Sequence, residues 1–545
     1  MRTNIYLLLY LVNLTGYSLF AQNSQDSLSI AAYWSGLQFD SAEYQQMEQR
    51  IRNTRKSLQA LHETHIPNRW APGFTRPPLR ISAGQLPTRQ YSIIWDLPVT
   101  DLPTTDTEIA FLSTAEQAYL ISQRQLSAER LTGIYLERLK QYSDTLQCTI
   151  TLLEERALQQ AQKADKEIAA GQYRGPLHGI PYGIKDLFAL EGFPTTWGAA
   201  PFKDQQLNQT ATVIQKLEDA GAVLVAKLTL GALAMGDVWY GGITKNPWKL
   251  EQGSSGSSAG SAAATSAGLV SFAIGTETWG SIISPSTRCG VTGLRPSYGR
   301  VSRHGAMALS WTMDKVGPIC RTVHDCALVF DAIRGLDGLD PTLIDLPFNY
   351  QEPKDIKSLK VGYLLHLFEA DYANHEQDKA SLDIIRKLGI DPIPLSLDSI
   401  QTPVSPLRII LFAEAAAAFD GLTRSNRDSL LVAQRAYSWP NIFRSARFIP
   451  AVEYIQAQRL REQLIIEVEA FLQGVDVLVC PTFGGEQLLM TNLTGHPAVV
   501  VPNGFREDGS KTSITFVSKL YDEATLLQFA KTFQQATQVH LKHPP

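Results

Sequence analysis

Two serines and a lysine carry the side chains in this 545-residue chain that could do covalent chemistry. Ser257 and Ser281 stand at the two Gly-bordered ends of GSSGSSAGSAAATSAGLVSFAIGTETWGSIISP, which runs from Gly253 to Pro285. Lys185 lies upstream in HGIPYGIKDLF. A serine hydroxyl is a weak nucleophile and needs a base within hydrogen-bond reach. Histidine is the usual base, but a lysine serves if it is neutral, and burial away from other cations favours the neutral amine. The chemistry in view is acyl transfer through a serine, with lysine as the base.

Those residues need elements to hold them. Gly and Ser crowd the start of the stretch, where backbone must pass close to something. The small residues that follow read as a buried helix entering the strand SFAIGT. Lys185 ends an apolar run, Gly179 to Ile184, that contains no other cation. Asp186 beside it would oppose the neutral form if it faced the amine. Two readings of Lys185 follow from the residues alone: a buried base, or a surface lysine at a strand end.

The runs HGIPYGIKDLF and GSSAGSAAATSAGLVSFAIGTETWGSIISPSTRCGVTGLRPSYGRVS resemble the amidase signature family, Ser-Ser-Lys hydrolases of carboxylic amides and some esters. The likeness is collinear from about Leu126 to Thr322 and resumes at TNLTGHPAVVVPNGF. It implies an α/β fold, a large twisted mixed β-sheet with helices on both faces. It also implies roles: Lys185 as base, Ser257 as bridging serine after a cis Gly256–Ser257 bond, and Ser281 as nucleophile. Backbone N–H groups of Thr278, Trp279, Gly280 and Ser281 match the oxyanion turn, and Met235, Gly236 and Asp237 match a substrate-lining loop. No cofactor and no metal are implied.

The turn also departs from the family. Many members have a glycine or a polar residue where Trp279 stands. Its indole either narrows the acyl pocket or packs behind the turn, and the second is the expectation here. Many members pair an Asp before the turn with an Arg after the nucleophile. Here those places hold Glu277 and Ile283, which cannot form an ion pair, so the turn must be braced differently.

The rest of the chain sets limits. Apolar residues make up 44% and charged residues 19%, an ordinary globular balance, and a net charge of −4 with no basic patch argues against nucleic acid. Arg2 precedes the apolar run Ile5 to Val12, so residues 1–21 read as a signal peptide, giving an exported protein, periplasmic or secreted. No later segment is apolar enough to span a membrane. Residues 22–105 read as a helical and Pro-rich extension and 106–545 as the catalytic domain. Within them, Asp40-x-x-Glu43 and Ser113-x-x-Glu116 read as capping boxes, and residues 335–360 as a surface insertion.

Five scattered cysteines suggest buried thiols, with a Cys320–Cys326 bridge as an alternative. No CxxC or HExxH spacing marks a metal site. His178 reads as a core or turn residue. The leading expectation is an amidase acting alone on a small-molecule amide. The alternatives are the ammonia-supplying component of an aminoacyl-tRNA amidotransferase, which export would exclude, and a non-catalytic binding protein on the same scaffold.

Overall fold

The computed structural model describes residues 27–64, 89–350 and 356–545. The signal-peptide expectation for residues 1–21, the proline-rich residues 67–88 and part of the 335–360 insertion lie outside the described residues. Eleven strands form one sheet: β1 (Thr149–Leu152), β2 (Pro181–Lys185), β3 (Val223–Leu228), β4 (Phe272–Glu277), β5 (Thr292–Arg295), β6 (Lys315–Cys320), β7 (Val361–Leu364), β8 (Ile393–Leu395), β9 (Val477–Pro481), β10 (Ala498–Phe505) and β11 (Lys511–Ser518). Their spatial order is β1-β3-β2-β4-β6-β5-β10-β11-β9-β7-β8. The sheet is mixed: β3, β2 and β4 run parallel, as do β9, β7 and β8, while β4, β6, β5, β10, β11 and β9 pair antiparallel in turn. Helices cover both faces, as the resemblance implied.

Strands covered on both faces read as continuous apolar runs, without alternation. β2, β3 and β4 are buried at every position. Because β2 and β4 are parallel, with Tyr182 opposite Phe272 and Ile184 opposite Ile274, their C-terminal ends lie side by side. Lys185 ends one, and Glu277 and the turn after it end the other. Crevices at the carboxyl ends of parallel strands are where open α/β sheets hold ligands.

Seven helices are labelled here: α1 (Ser41–Glu63), α2 (Ala259–Ser266), α3 (Ile283–Cys289), α4 (Arg408–Ala418), α5 (Trp439–Ala446), α6 (Ala451–Leu472) and α7 (Gln487–Thr494). Helix α2 is the small-residue run, and all its residues are buried. Its short side chains let it sit close to the sheet, where Ser261 Oγ donates to the Ile274 carbonyl at 3.0 Å. Both capping boxes form, at Asp40/Glu43 and Ser113/Glu116. Helix α1 docks on the helical region of residues 405–473. Arg444 of α5 bridges Glu43 at 2.7 Å and Asp428 at 2.9 Å, and Arg50 lies 4.4 Å from the ring centre of Phe412 on α4. All five cysteines are free and buried, so the Cys320–Cys326 bridge is not formed.

Candidate active site

Lys185 is fully buried, which excludes the surface reading. Its Nζ lies 2.7 Å from Ser257 Oγ, 2.8 Å from Thr276 Oγ1, 3.1 Å from Ser258 Oγ and 3.4 Å from the Thr276 carbonyl. None of these neighbours is charged. Burial pushes the amine well below its ordinary pKa, against smaller opposing pulls from Asp314 and Glu277. Asp186, the residue that could have held the proton on, faces away. Its carboxylate pairs with buried Lys227 at 2.7 Å and accepts from the Thr196 backbone N–H at 2.8 Å. Adjacent residues of extended chain point to opposite sides, so the Lys185 amine and the Asp186 carboxylate part at the end of β2.

A neutral amine donates two hydrogen bonds and accepts one. Ser258 Oγ is already committed, lying 3.1 Å from the Thr276 carbonyl and 3.2 Å from the Thr276 N–H. Among the described residues Ser257 Oγ contacts only Lys185, so its proton is free to point at the amine and its lone pair toward a further donor.

The segment that carries Ser257 turns through two left-handed residues, Ser255 at φ 62° and Gly256 at φ 57°. No cis bond occurs among the described residues, so the expected cis Gly256–Ser257 bond is replaced by a trans one with the left-handed pair making the turn. A side chain at Gly256 would come within 2.3 Å of Pro285 Cδ at the base of α3, which explains the glycine. Asp237 Oδ2 accepts from the Ser255 N–H at 2.7 Å and so braces this turn.

Ser281 lies at the far side of the turn after β4. Its carbonyl accepts from the Ser258 N–H at 3.1 Å, which ties the two serine segments together through the backbone. No hydrogen bond joins the Ser257 and Ser281 hydroxyls, and among the described residues the Ser281 hydroxyl has no partner. Gly280 takes φ 86°, a value glycine adopts without strain. The N–H groups of Trp279, Gly280 and Ser281 make no intramolecular hydrogen bond among the described residues and remain available as donors. Trp279 is 39% exposed, so it is not buried behind the turn as expected.

The substitute brace for the turn is a buried cluster around Glu277. Its Oε2 accepts from the N–H groups of Ile282 at 2.8 Å and Ile283 at 2.9 Å. Its Oε1 meets Arg295 Nη1 at 2.8 Å and Asn492 Nδ2 at 2.8 Å. Burial alone would raise this carboxyl, but Arg295 and the backbone donor outweigh it and hold it below the usual carboxylate range. Arg295 is anchored in turn on the His496 carbonyl and Thr491 Oγ1. At the other end of the turn Asp314 accepts from Thr278 Oγ1 at 2.5 Å. Glu277→Gln would strip Arg295 of its counter-charge. We expect it to cost about 3–5 kcal/mol, seen as a lower urea midpoint at unchanged slope.

The sequence singles out Glu277 but not Arg295, Asn492, Asp314 or Thr276. Only Thr276 carries a signal: it lies on β4 beside the turn, at a hydroxyl-bearing position in a buried strand. His178 sits elsewhere, with its ring nitrogens 3.2 Å from the Arg174 N–H and 3.1 Å from Glu167. A cavity of about 620 Å³ adjoins the turn, with Thr276, Thr278 and Ala234 in its wall. Met235, Gly236 and Asp237 do not line it.

Comparisons with known proteins identify the family and the fold. The family model named Amidase matches residues 130–488. A glutamyl-tRNA(Gln) amidotransferase subunit from Moorella thermoacetica is 31% identical, over 80% of this chain and 99% of that protein. Its counterpart in Geobacillus kaustophilus is 33% identical, over 79% and 98%. Among solved structures, the native peptide amidase from Stenotrophomonas maltophilia superposes with a TM-score of 0.70 at 26% identity, covering 79% of this chain and 98% of that one. A bacterial aryl acylamidase of the amidase signature enzymes shares the fold, with a TM-score of 0.70 at 20% identity over 80% of this chain and 99% of that one. The sequence runs, the mixed sheet and these matches lead to one conclusion: the chain belongs to the amidase family.

Proposed function

We propose that this protein hydrolyses a carboxylic amide to an acid and ammonia or an amine, through an ester of Ser281. The observation that carries the reading is the contact of Lys185, buried and without a charged partner, with Ser257, on a segment tied to Ser281. Ser281 Oγ attacks the carbonyl carbon. Its proton passes to Ser257 Oγ as that hydroxyl gives its own to Lys185 Nζ. The negative oxygen that develops is met by the N–H groups of the turn, each contributing about 3–4 kcal/mol to the transition state. Return of the proton through Ser257 to the amide nitrogen breaks the C–N bond and releases the amine. Water then repeats the sequence on the acyl-serine, and the acid leaves.

A second reading is favoured by the names of the curated relatives: an amidotransferase component that liberates ammonia for a partner. Both readings share the acyl-serine step and differ in whether the chain works alone. The apolar run behind Arg2 supports an exported enzyme working alone, away from tRNA. The purified chain, given simple amides with no partner and no tRNA, is expected to release ammonia. A serine-directed phosphonate should add its mass to the peptide bearing Ser281. Labelling elsewhere overturns the assignment, and ammonia release only on adding a tRNA-dependent partner favours the second reading.

A further inference from the structure

The cavity beside the turn is where a substrate's bulk can lie. Thr276, which contacts Lys185, and Thr278, which opens the turn, are both in its wall, so the space lies next to the reacting centre, with Lys185, Ser257 and Ser281 outside its lining. At about 620 Å³ it is the size of a small-molecule site. Much of its lining is apolar, Leu187, Ala306, Met307, Ala308, Leu309 and Val316 among it.

Its charged lining groups are already committed. The Arg303 guanidinium meets Asp340 at 3.1 Å, donates to Thr342 Oγ1 at 2.8 Å and to the Trp311 carbonyl, and lies 5.0 Å from the Tyr298 ring centre. Asp340 is held by that pair and by the Thr342 hydroxyl. Asp314 accepts from Thr278 Oγ1 and from the N–H groups of Leu309 and Ser310. The Lys315 amine donates to the Met313 and Asn492 carbonyls, and burial drives it well below its ordinary pKa. Gln209 and His304 also line it. Among the described residues no lysine or arginine in the wall is left over for a carboxylate, and desolvating an unpaired charge there would be costly.

We propose that the amide cleaved at Ser281 carries a bulky, uncharged, largely apolar substituent, an aromatic ring or a branched alkyl chain, and that this cavity receives it. The proposal rests on the hydrolytic reading above and narrows its substrate class. Glutamine, a side-chain amide whose free α-carboxylate needs a counter-charge, fits this wall poorly.

The test compares kcat/KM of the purified full chain on acetamide, phenylacetamide, 3-phenylpropionamide and L-glutamine, by ammonia release. The aryl amides should exceed acetamide by about 10-fold or more, the scale on which an apolar pocket discriminates. L-Glutamine should not exceed acetamide. Ala308→Phe fills the cavity from its wall and touches none of the proposed catalytic groups. It should lower the aryl amides by about 10-fold or more and leave acetamide within about threefold. Phosphonate labelling of wild type and Ala308→Phe reports separately on Ser281. Intact labelling with glutamine or acetamide preferred, or with Ala308→Phe affecting all amides alike, overturns the cavity assignment. Failure of labelling in the wild type overturns the hydrolytic reading instead.

Discussion

Ser281→Ala is expected to lower amide turnover by about 10⁴-fold or more and to abolish phosphonate labelling, while the protein keeps its fold. The side chain removed is a partly exposed hydroxyl with no partner among the described residues, so its loss strands no buried polar group. Urea unfolding should therefore be within about 0.5 kcal/mol of wild type, as for substitutions away from buried networks. The turn donors would survive, so residual binding of a substrate amide is compatible with the reading. Turnover retained within about tenfold of wild type would exclude Ser281 as the nucleophile.

Lys185→Ala carries the second large effect. Removing a general base costs about 10²–10⁴-fold. Arginine does not substitute, because a guanidinium keeps its proton at any relevant pH. The wild-type pH profile should carry the signature of the lysine. Burial puts the folded pKa well below the unfolded one. Below the folded value the ammonium cannot accept a proton, so kcat/KM should fall as pH drops through it and level off above it. The same shift acts on stability with a definite sign. Between the two pKa values the unfolded chain binds the extra proton, so this group's contribution to stability rises with pH across that window. An activity profile flat down to the range where carboxylates titrate, together with an active Lys185→Ala, would remove the lysine from the mechanism.

Some of this site is visible in the residues and some is not, for physical reasons. Lys185, Ser257 and Ser281 are legible because each sits in a short run whose composition matters locally: an apolar strand end, a Gly-rich turn, a tight turn after a strand. The sheet is legible where burial imposes apolar runs, as in β3, β4, β7, β9 and β10. It is not where a buried strand is polar. Strand β11, KTSITFVS, is buried at every position. Two of its hydroxyls find partners across the sheet, Thr512 Oγ1 on Asn503 Oδ1 at 2.7 Å and Thr515 Oγ1 on Thr482 Oγ1 at 3.0 Å. Such partners are set by tertiary packing and leave no periodicity. The brace around Glu277 is hidden for the same reason. The absence of an arginine at Ile283 shows that a substitute must exist, but nothing local points to Arg295 or Asn492. The trans Gly256–Ser257 bond is a further difference, with the left-handed Ser255–Gly256 pair turning this segment.

The Glu277 cluster has a consequence for the order in which the molecule comes into being. Asn492 lies 215 positions after Glu277 and the His496 carbonyl 201 after Arg295, so the brace of the turn joins parts of the chain that leave the ribosome far apart in time. A nascent chain that already holds Lys185, Ser257 and Ser281 still lacks Asn492 and the His496 carbonyl, so the cluster stays incomplete until that later segment has packed against the turn.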